Sequence, residues 1–216
     1  MRADLPHVRR VPSTRAALFA ALAAVLAGTA SAQHAHAPRA PHGDPTAVAE
    51  AFVVEGLRVD PASPPPGSAV GRAGLRYHDG GYVSVVYGRP YARGRVLWGG
   101  LVSWDAVWSA GAHRATELVT TVPLTVGGTV LPPGAYSLLV TPRAEAPWTL
   151  HVNRTLGAHL ADEHDASDDL ATATAPPEAL AEPVDALTWA FADSGRALVL
   201  SWGRTRVSFP IARTSP

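Results

Sequence analysis

The chain has 216 residues, 47% of them hydrophobic and 17% charged, and a formal net charge of +0. This balance is typical of one globular domain with appendages, and it provides no strong field for binding nucleic acid or an anionic membrane. All 18 basic residues are arginine and there is no cysteine. Thiol catalysis, thiolate metal sites, Schiff-base chemistry and a P-loop lysine are therefore excluded.

The N-terminus has the three parts of a secretory signal peptide. Arg9 and Arg10 precede an apolar run over residues 16–27, and small residues at 30–32 form a cleavage site. The apolar run is shorter than the ~20 residues that a membrane-spanning helix needs. We therefore predict that residues 1–32 are a signal peptide for export through the Sec pathway to the periplasm or the cell exterior. Twin-arginine export is the alternative, but the residues after the arginine pair fit it poorly.

The next segment, residues 33–49, is rich in Pro, His and Ala and has no apolar period, which predicts a flexible tail before a domain over residues 50–216. Its His34, His36 and His42 could bind a transition metal, since imidazole suits zinc, copper and nickel. A short tail of this kind usually has no specific ligand. We therefore predict no metal site and no cofactor.

The domain is predicted to be all-β, because short segments of alternating polarity are separated by turn residues. Residues 51–59 are a candidate first strand, and a proline-rich stretch follows them. The later candidate strands are residues 75–78, 82–87, 118–121, 124–126, 129–131, 135–141, 148–152, 187–191, 198–202 and 207–211. Turns are predicted at residues 79–81, 127–128, 132–134, 193–195 and 203–204. We expect a single antiparallel β-sandwich or partly closed barrel of about nine or ten short strands, with minor helix.

Two segments interrupt the alternation. Residues 156–171 form an acidic stretch whose carboxylates could bind calcium, but their spacing does not match an EF-hand loop. A solvated loop is the favoured interpretation. Residues 175–183 contain three prolines and are predicted to be a link rather than a strand.

Four motifs stand out between residues 87 and 153. They are YGRP at 87–90, GRVLWGGLV at 94–102, the glycine- and proline-rich hairpin at 127–138, and WTLHVN at 148–153. Together they resemble the secreted bacterial family named domain of unknown function 2911. The resemblance covers most of residues 75–211, and it implies secretion but supplies no activity.

The chain departs from the family pattern W-R-T-G-A-N-E-A-T at three positions. It has Ser109, His113 and Arg114 where the pattern has arginine, asparagine and glutamate. If those three groups form a site in the family, this chain has lost or rebuilt it.

Arginines and aromatic residues are concentrated in the same region. Arg89 and Arg95 lie near Tyr91, and guanidinium groups beside aromatic rings can bind carboxylates or sugar hydroxyls. The favoured alternative is that these arginines bind a carboxylate such as Asp105 or Glu117 and thereby fix an irregular loop.

Three tryptophans offer a second possibility. Trp98, Trp104 and Trp108 could stack a saccharide or an aromatic ligand, and one helical turn would place Trp104 and Trp108 on one face. The alternative is that they fill the core. His113 is the best candidate for a general base, with Asp105 or Glu117 as its partner, although a lone histidine usually has no catalytic role.

We predict that the protein is a secreted β-sandwich that acts as a binding or structural module through its 87–116 loops. The partner is an unknown small molecule, glycan or protein, and neither a nucleic acid nor a membrane span is expected. The predicted ligand-binding residues are Arg89, Tyr91, Arg95, Trp104, Trp108, His113 and Arg114. The alternative is a hydrolase-like enzyme in which His113 acts as general base with Asp105 and Arg89, although the common hydrolase motifs are absent from the sequence.

Overall fold

The structure is a computed structural model that describes residues 44–54, 67–159 and 161–214. The predicted signal peptide and the three tail histidines lie outside the described residues. All of the described residues belong to one compact unit. Within the described ranges, no helix is long and apolar enough to cross a membrane.

Eleven strands make up most of the described chain, and two short 3-10 turns occupy Ala166–Asp168 and Asp193–Gly195. The strands are Val48–Val54 (β1), Ala69–Tyr77 (β2), Tyr82–Arg89 (β3), Thr116–Thr120 (β4), Leu124–Val126 (β5), Thr129–Leu131 (β6), Gly134–Thr141 (β7), Trp148–Asn153 (β8), Asp169–Ala175 (β9), Pro177–Ala192 (β10) and Ala197–Arg213 (β11).

The strands form two antiparallel sheets. The larger sheet has the order β1-β2-β3-β4-β7-β8-β9, and the smaller has the order β10-β11-β5-β6. Strand β10 packs on β2 and β3, and strands β11 and β6 pack on β9, so the sheets lie face to face. In the part of the chain that the structure describes, the two sheets do not join into a closed barrel, and the predicted all-β sandwich is confirmed.

The core follows from the period of two in the strands. In β3, Val83 and Val85 are fully buried and Tyr87 is nearly so, as their shared face predicts. In β8, Leu150 and Val152 point into the core, whereas His151 lies on the opposite face. Burial of each large apolar side chain contributes about 1.5–3 kcal/mol to folding before the entropy cost is subtracted.

The predicted link over residues 175–183 is wrong, because most of it belongs to β10. This strand is an edge of the smaller sheet, where a proline without an N–H group interrupts no ladder on its outer side. The pairing with β11 also shifts register between Ala179 and Val184 and again between Val184 and Thr188. These irregularities allow prolines and exposed residues within one long strand.

The predicted turn at residues 203–204 is also wrong, because β11 continues through it from Ala197 to Arg213. Gly203 has a φ of +59° and pairs with Val184 at the irregular part of the ladder. Glycine adopts this conformation without strain, so the same residue type that favours a turn here accommodates a bulge. The other predicted turns, at residues 79–81, 127–128, 132–134 and 193–195, do lie between consecutive strands, although Gly134 is already the first residue of β7.

Candidate functional site

The site is built on the connection between β3 and β4. These strands are neighbours in the larger sheet, but the chain between them runs from residue 90 to residue 115. A connection of this length contrasts with the two to five residues of an ordinary hairpin loop. Long ordered loops on a rigid sheet are where binding residues concentrate.

The 90–115 connection is fixed to both sheets. Its first part forms an antiparallel bridge between Tyr91 and Ala186 of β10, and its last part forms one between Trp108 and Val140 of β7. The Trp108 pair exchanges two backbone hydrogen bonds, of 2.8 and 2.9 Å. The loop is therefore a preformed wall rather than an untethered segment.

Strained backbone is concentrated in this connection. Ala110 has a φ of 55°, and its carbonyl accepts hydrogen bonds from Thr116 Oγ1 and Trp189 Nε1, both at 2.9 Å. These two buried bonds hold alanine in a left-handed conformation that it adopts rarely. The other non-glycine residues with positive φ in the connection are Arg93, Asp105 and His113. Strained residues of this kind cluster at functional sites.

A cleft of about 460 Å³ opens between the 90–115 connection, the loop between β8 and β9 (residues 154–168), β11 and Ser68. We call it the main cleft. Its polar side chains belong to Ser68, Arg95, Ser109, His113 and Asp162, and its large apolar ones to Leu101, Val102, Val107, Trp108 and Trp202. An apolar lining with a few polar groups of both charges is typical of a small-molecule site.

Three of the predicted binding residues, Arg95, Trp108 and His113, line the main cleft. His113 and Arg114 also line a neighbouring cleft of about 240 Å³, together with Glu117. Arg114 donates a hydrogen bond of 3.0 Å to the carbonyl of Gly157, which connects the two loops.

The remaining predicted residues line neither cleft. Arg89 is buried with its guanidinium group 5.9 Å from the ring centroid of Tyr91, which is also buried. Trp104 is 36% exposed and packs edge-on against Trp148. Sequence reasoning placed them in the right segment, but the direction of each side chain depends on the folded loop.

Asp105 does not pair with Arg89 or Arg95, the arginines expected to bind it. Asp105 pairs with Arg143 at 3.0 Å instead. Arg95 does fix the loop, but it does so by donating to the backbone carbonyls of Tyr91 at 2.6 Å and Ala92 at 3.1 Å. Arg95 is exposed and lines the main cleft, so its remaining N–H groups can meet a ligand.

The tryptophans form a cluster rather than a flat platform. The ring of Trp98 lies 5.7 Å from that of Trp108 at an interplanar angle of 72°, and 4.6 Å from that of Trp148. Trp202 stacks on Trp108 at 5.9 Å with an angle of 15°. No helical turn forms at residues 104–108. The cluster is an extension of the core that forms the apolar floor of the main cleft.

The sequence model of a family described as proteins of unknown function, DUF2911, matches residues 73–211. This match spans the strands from β2 to β11, the 90–115 connection and the β8–β9 loop. The chain belongs to the DUF2911 family. The predicted resemblance is thus confirmed, but DUF2911 carries no assigned activity. No curated protein and no solved structure matches the chain.

In this DUF2911 domain, His113 is not arranged as a general base. The imidazole is exposed, and within the described ranges it forms no hydrogen bond or ion pair. A catalytic base is normally oriented by a third group such as a carboxylate. Of the two expected partners, Asp105 pairs with Arg143, and Glu117 lines the neighbouring cleft with His113 but forms no hydrogen bond with it.

Ser109, one of the three departures from the family pattern, has an unusual environment. Its side chain is fully buried beside the main cleft, and its hydroxyl forms no hydrogen bond within the described part of the chain. Leaving a buried hydroxyl without a partner costs about 1–3 kcal/mol. The hydroxyl therefore lowers stability and, because it is fully enclosed, presents no polar atom to a ligand in the cleft.

Ser109→Ala is expected to leave the free energy of unfolding unchanged or to raise it by about 1 kcal/mol, because it removes that unsatisfied hydroxyl. The matched control is Ser137→Ala, since Ser137 is also buried but donates a hydrogen bond of 2.6 Å to the carbonyl of Thr155. That control should lose about 1 kcal/mol. Equal losses for the two variants in urea unfolding would show that Ser109 has a partner.

A second constellation of polar side chains lies where β8 meets β9. His151 of β8, His164 of the β8–β9 loop and Asp169 of β9 place one ligand-type atom each within 4.8 Å of one another. Burial raises the pKa of Asp169, but hydrogen bonds from Asn153, His164 and His151 outweigh it and hold the pKa below the ordinary value of 3.8. Sequence reasoning missed this group. Alternate positions of one strand place His151 and Asn153 on one face, but the approach of His164 depends on the path of the loop.

The acidic residues of that loop do not converge on a calcium site. Asp165 accepts a hydrogen bond from the backbone N–H of Ser167 at 2.8 Å, and Asp168 pairs with Arg154 at 3.3 Å. Asp162 faces the main cleft instead. Because these carboxylates have different partners, the loop is better described as a solvated loop than as a calcium site that its carboxylates share.

Proposed function

We propose that the protein is an exported binding module that holds a small molecule in the main cleft. The observation that carries the proposal is the convergence of Arg95, Trp108 and His113 on one preformed cleft of about 460 Å³. Export to the periplasm or the cell exterior is supported by the charged, apolar and small-residue parts of the first 32 residues.

The lining suggests what kind of molecule fits. Trp108 and Trp202 provide an apolar aromatic floor, and Arg95 provides a cation with free N–H donors at the rim. The side chains of His113 and Asp162 add polar groups to the lining of the cleft. A compound with an apolar or aromatic body and one anionic group matches this arrangement, because arginine binds planar anions through paired hydrogen bonds.

Two other expectations fit the geometry less well. A glycan platform needs open tryptophan faces, but Trp98 and Trp108 meet at 72° and Trp108 is stacked on Trp202. The enzyme alternative needs a carboxylate that orients His113. Asp105 pairs with Arg143, and Glu117 shares the neighbouring cleft with His113 but forms no hydrogen bond with it. Binding without chemistry is therefore the favoured function.

The test uses 1-anilinonaphthalene-8-sulfonate, an aromatic anion whose fluorescence increases in apolar surroundings. We expect one binding site per chain and energy transfer from tryptophan to the probe. Arg95→Ala should weaken binding about tenfold or more, because it removes a charge-assisted hydrogen bond. Arg76→Ala is the control, since Arg76 is 62% exposed on β2 and pairs with Glu50 at 3.9 Å, away from the cleft.

The proposal fails if Arg95→Ala and Arg76→Ala bind the probe equally well, or if binding is weak and involves many sites. A protein partner would be indicated by a different outcome, in which the probe does not bind and Arg95→Ala abolishes a complex with another chain. The enzyme alternative would be supported by a ligand that the wild-type chain converts to a product. His113→Gln would then bind that ligand with unchanged affinity but would not convert it.

A further inference from the structure

None of His151, His164 and Asp169 is among the residues that line the main cleft. Strand β8 directs Leu150 and Val152 into the core, so His151 and Asn153 lie on the outer face of the larger sheet. The ladder between β8 and β9 shifts register next to Asn153, which places Asp169 opposite it. A bulge at this point re-aims the side chain of Asp169 toward His151.

The three side chains already touch. The Nδ1 atom of His151 lies 2.8 Å from Oδ2 of Asp169, and the Nε2 atom of His164 lies 3.0 Å from Oδ1. The side chains are only 10–15% exposed. Two imidazoles and a carboxylate therefore share a nearly enclosed space on the sheet.

We propose that His151, His164 and Asp169 form a binding site for one divalent transition-metal ion, and that zinc is the ion the set suits best. Zinc binds histidine nitrogen and carboxylate oxygen at about 2.0–2.2 Å, so neighbouring ligand atoms in a tetrahedral site are about 3.3 Å apart. The two nitrogen–oxygen separations, 2.8 and 3.0 Å to different oxygens of Asp169, would widen by a few tenths of an ångström on binding. The two histidine nitrogens already lie within 4.8 Å of each other and would move to a similar spacing.

The surrounding groups orient these ligands as in a metal site. Thr141 Oγ1 lies 2.8 Å from Nε2 of His151, and Asn153 Nδ2 donates to Oδ1 of Asp169 at 2.9 Å. A threonine hydroxyl can donate or accept, so it can hold His151 in the tautomer that leaves Nδ1 free for a metal. Metal-bound histidines usually have such a partner on the other ring nitrogen.

The number of protein ligands shows that the proposed site has an open coordination position. Three protein ligands leave at least one coordination position, as in catalytic rather than structural zinc sites. The side chains retain some exposure, which leaves a route for water or a small anion to that position. The same loop brings Asp162 to the main cleft, so a bound ion would also anchor one wall of that cleft.

The alternative is a purely structural cluster in which the two histidines hydrogen-bond to the carboxylate and fix the loop. A metal site takes up one metal ion per chain, whereas a purely structural cluster takes up none. Because the N-terminal histidines could bind ions independently, the test uses the full chain with His7, His34, His36 and His42 replaced by alanine. Cobalt(II) is the probe, since four- or five-coordinate cobalt has visible bands far more intense than those of the hydrated ion.

We expect one cobalt ion per chain, displacement by zinc and a higher melting temperature with zinc, because the folded state binds the ion. His164→Gln and Asp169→Asn should each weaken binding by at least about 100-fold, and Thr141→Val by about tenfold. The control is His159→Gln, because His159 is an exposed histidine of the same loop outside the cluster.

The outcomes separate the two possibilities even if one variant is unstable. If Asp169→Asn does not fold, His164→Gln carries the test, because His164 lies on the loop rather than in a strand. Absence of the intense cobalt bands, or equal cobalt affinity in His164→Gln and His159→Gln, would overturn the proposal. The metal-site proposal would be supported if His164→Gln no longer took up cobalt while circular dichroism showed that the metal-free variant was still folded. This outcome does not depend on the result of the fluorescent-probe titration.

Discussion

Trp202→Ala is expected to lower the free energy of unfolding by about 3–5 kcal/mol, the usual range for truncating a buried tryptophan. Trp202 is 1% exposed, and its ring contacts those of Trp98 at 5.7 Å and Trp108 at 5.9 Å. Its indole N–H also donates to the carbonyl of Asp185 at 3.1 Å. The substitution therefore leaves a cavity under the main cleft. It also removes one of the two hydrogen bonds to the Asp185 carbonyl, which still accepts from the backbone N–H of Ala92 at 2.6 Å.

The matched control is Trp104→Ala, because Trp104 belongs to the same cluster but is 36% exposed. We expect that variant to lose about 1 kcal/mol or less. Guanidinium unfolding followed by far-ultraviolet circular dichroism avoids the loss of tryptophan signal. Similar losses for the two variants would show that Trp202 is not the centre of the cluster. Trp202→Ala should also weaken binding of the fluorescent probe, since it removes part of the cleft floor.

The sandwich could be predicted because its signals are local. Alternation in β3 predicts which side chains are buried, and Gly127-Gly128 predicts the turn between β5 and β6. Both glycines have positive φ, at 56° and 87°. Each signal depends on neighbours in sequence, so no knowledge of the tertiary structure was needed.

The two wrong predictions, the link at residues 175–183 and the turn at residues 203–204, concern segments whose conformation depends on where they lie in the sheet. Prolines are compatible with β10 only because that strand lies at an edge, and sequence does not show which strands are edges. In the same way, Gly203 fits a bulge as well as a turn, and the pairing partner Val184 decides between them. The conformational preference of glycine is the same in a bulge and in a turn, so the sequence alone does not distinguish them.

The same distinction applies to the candidate sites: the sequence predicts which segment carries binding residues, but only the folded structure shows which side chains share a cleft. The segment that holds Arg95, Trp108 and His113 was predicted, but only the packing of two loops and β11 shows that these three share a cleft. Asp162 and Trp202 were missed as cleft residues, since they reach it from distant parts of the chain. Convergence of this kind is a property of topology, and a single sequence contains no direct sign of it.

Gly88→Ala is expected to lower the free energy of unfolding by about 3 kcal/mol or more and to distort both clefts. A Cβ atom at Gly88 would lie 2.0 Å from the carbonyl oxygen of Ala112 and 2.8 Å from its carbonyl carbon. These are backbone atoms, so no side-chain rotation can relieve the overlap. The loop that carries His113 would have to move away from β3.

The control is Gly134→Ala in β7, where the nearest atom to a new Cβ is the hydroxyl of Tyr136 at 3.1 Å. A side chain can adjust there, so we expect a loss of about 1 kcal/mol or less. Chemical unfolding measures stability, and titration with the fluorescent probe reports on the main cleft. If Gly88→Ala bound the probe as tightly as Gly134→Ala, the position of residues 111–113 would not determine binding. A combined loss of stability and probe affinity would instead show that the close contact between β3 and this loop shapes the site.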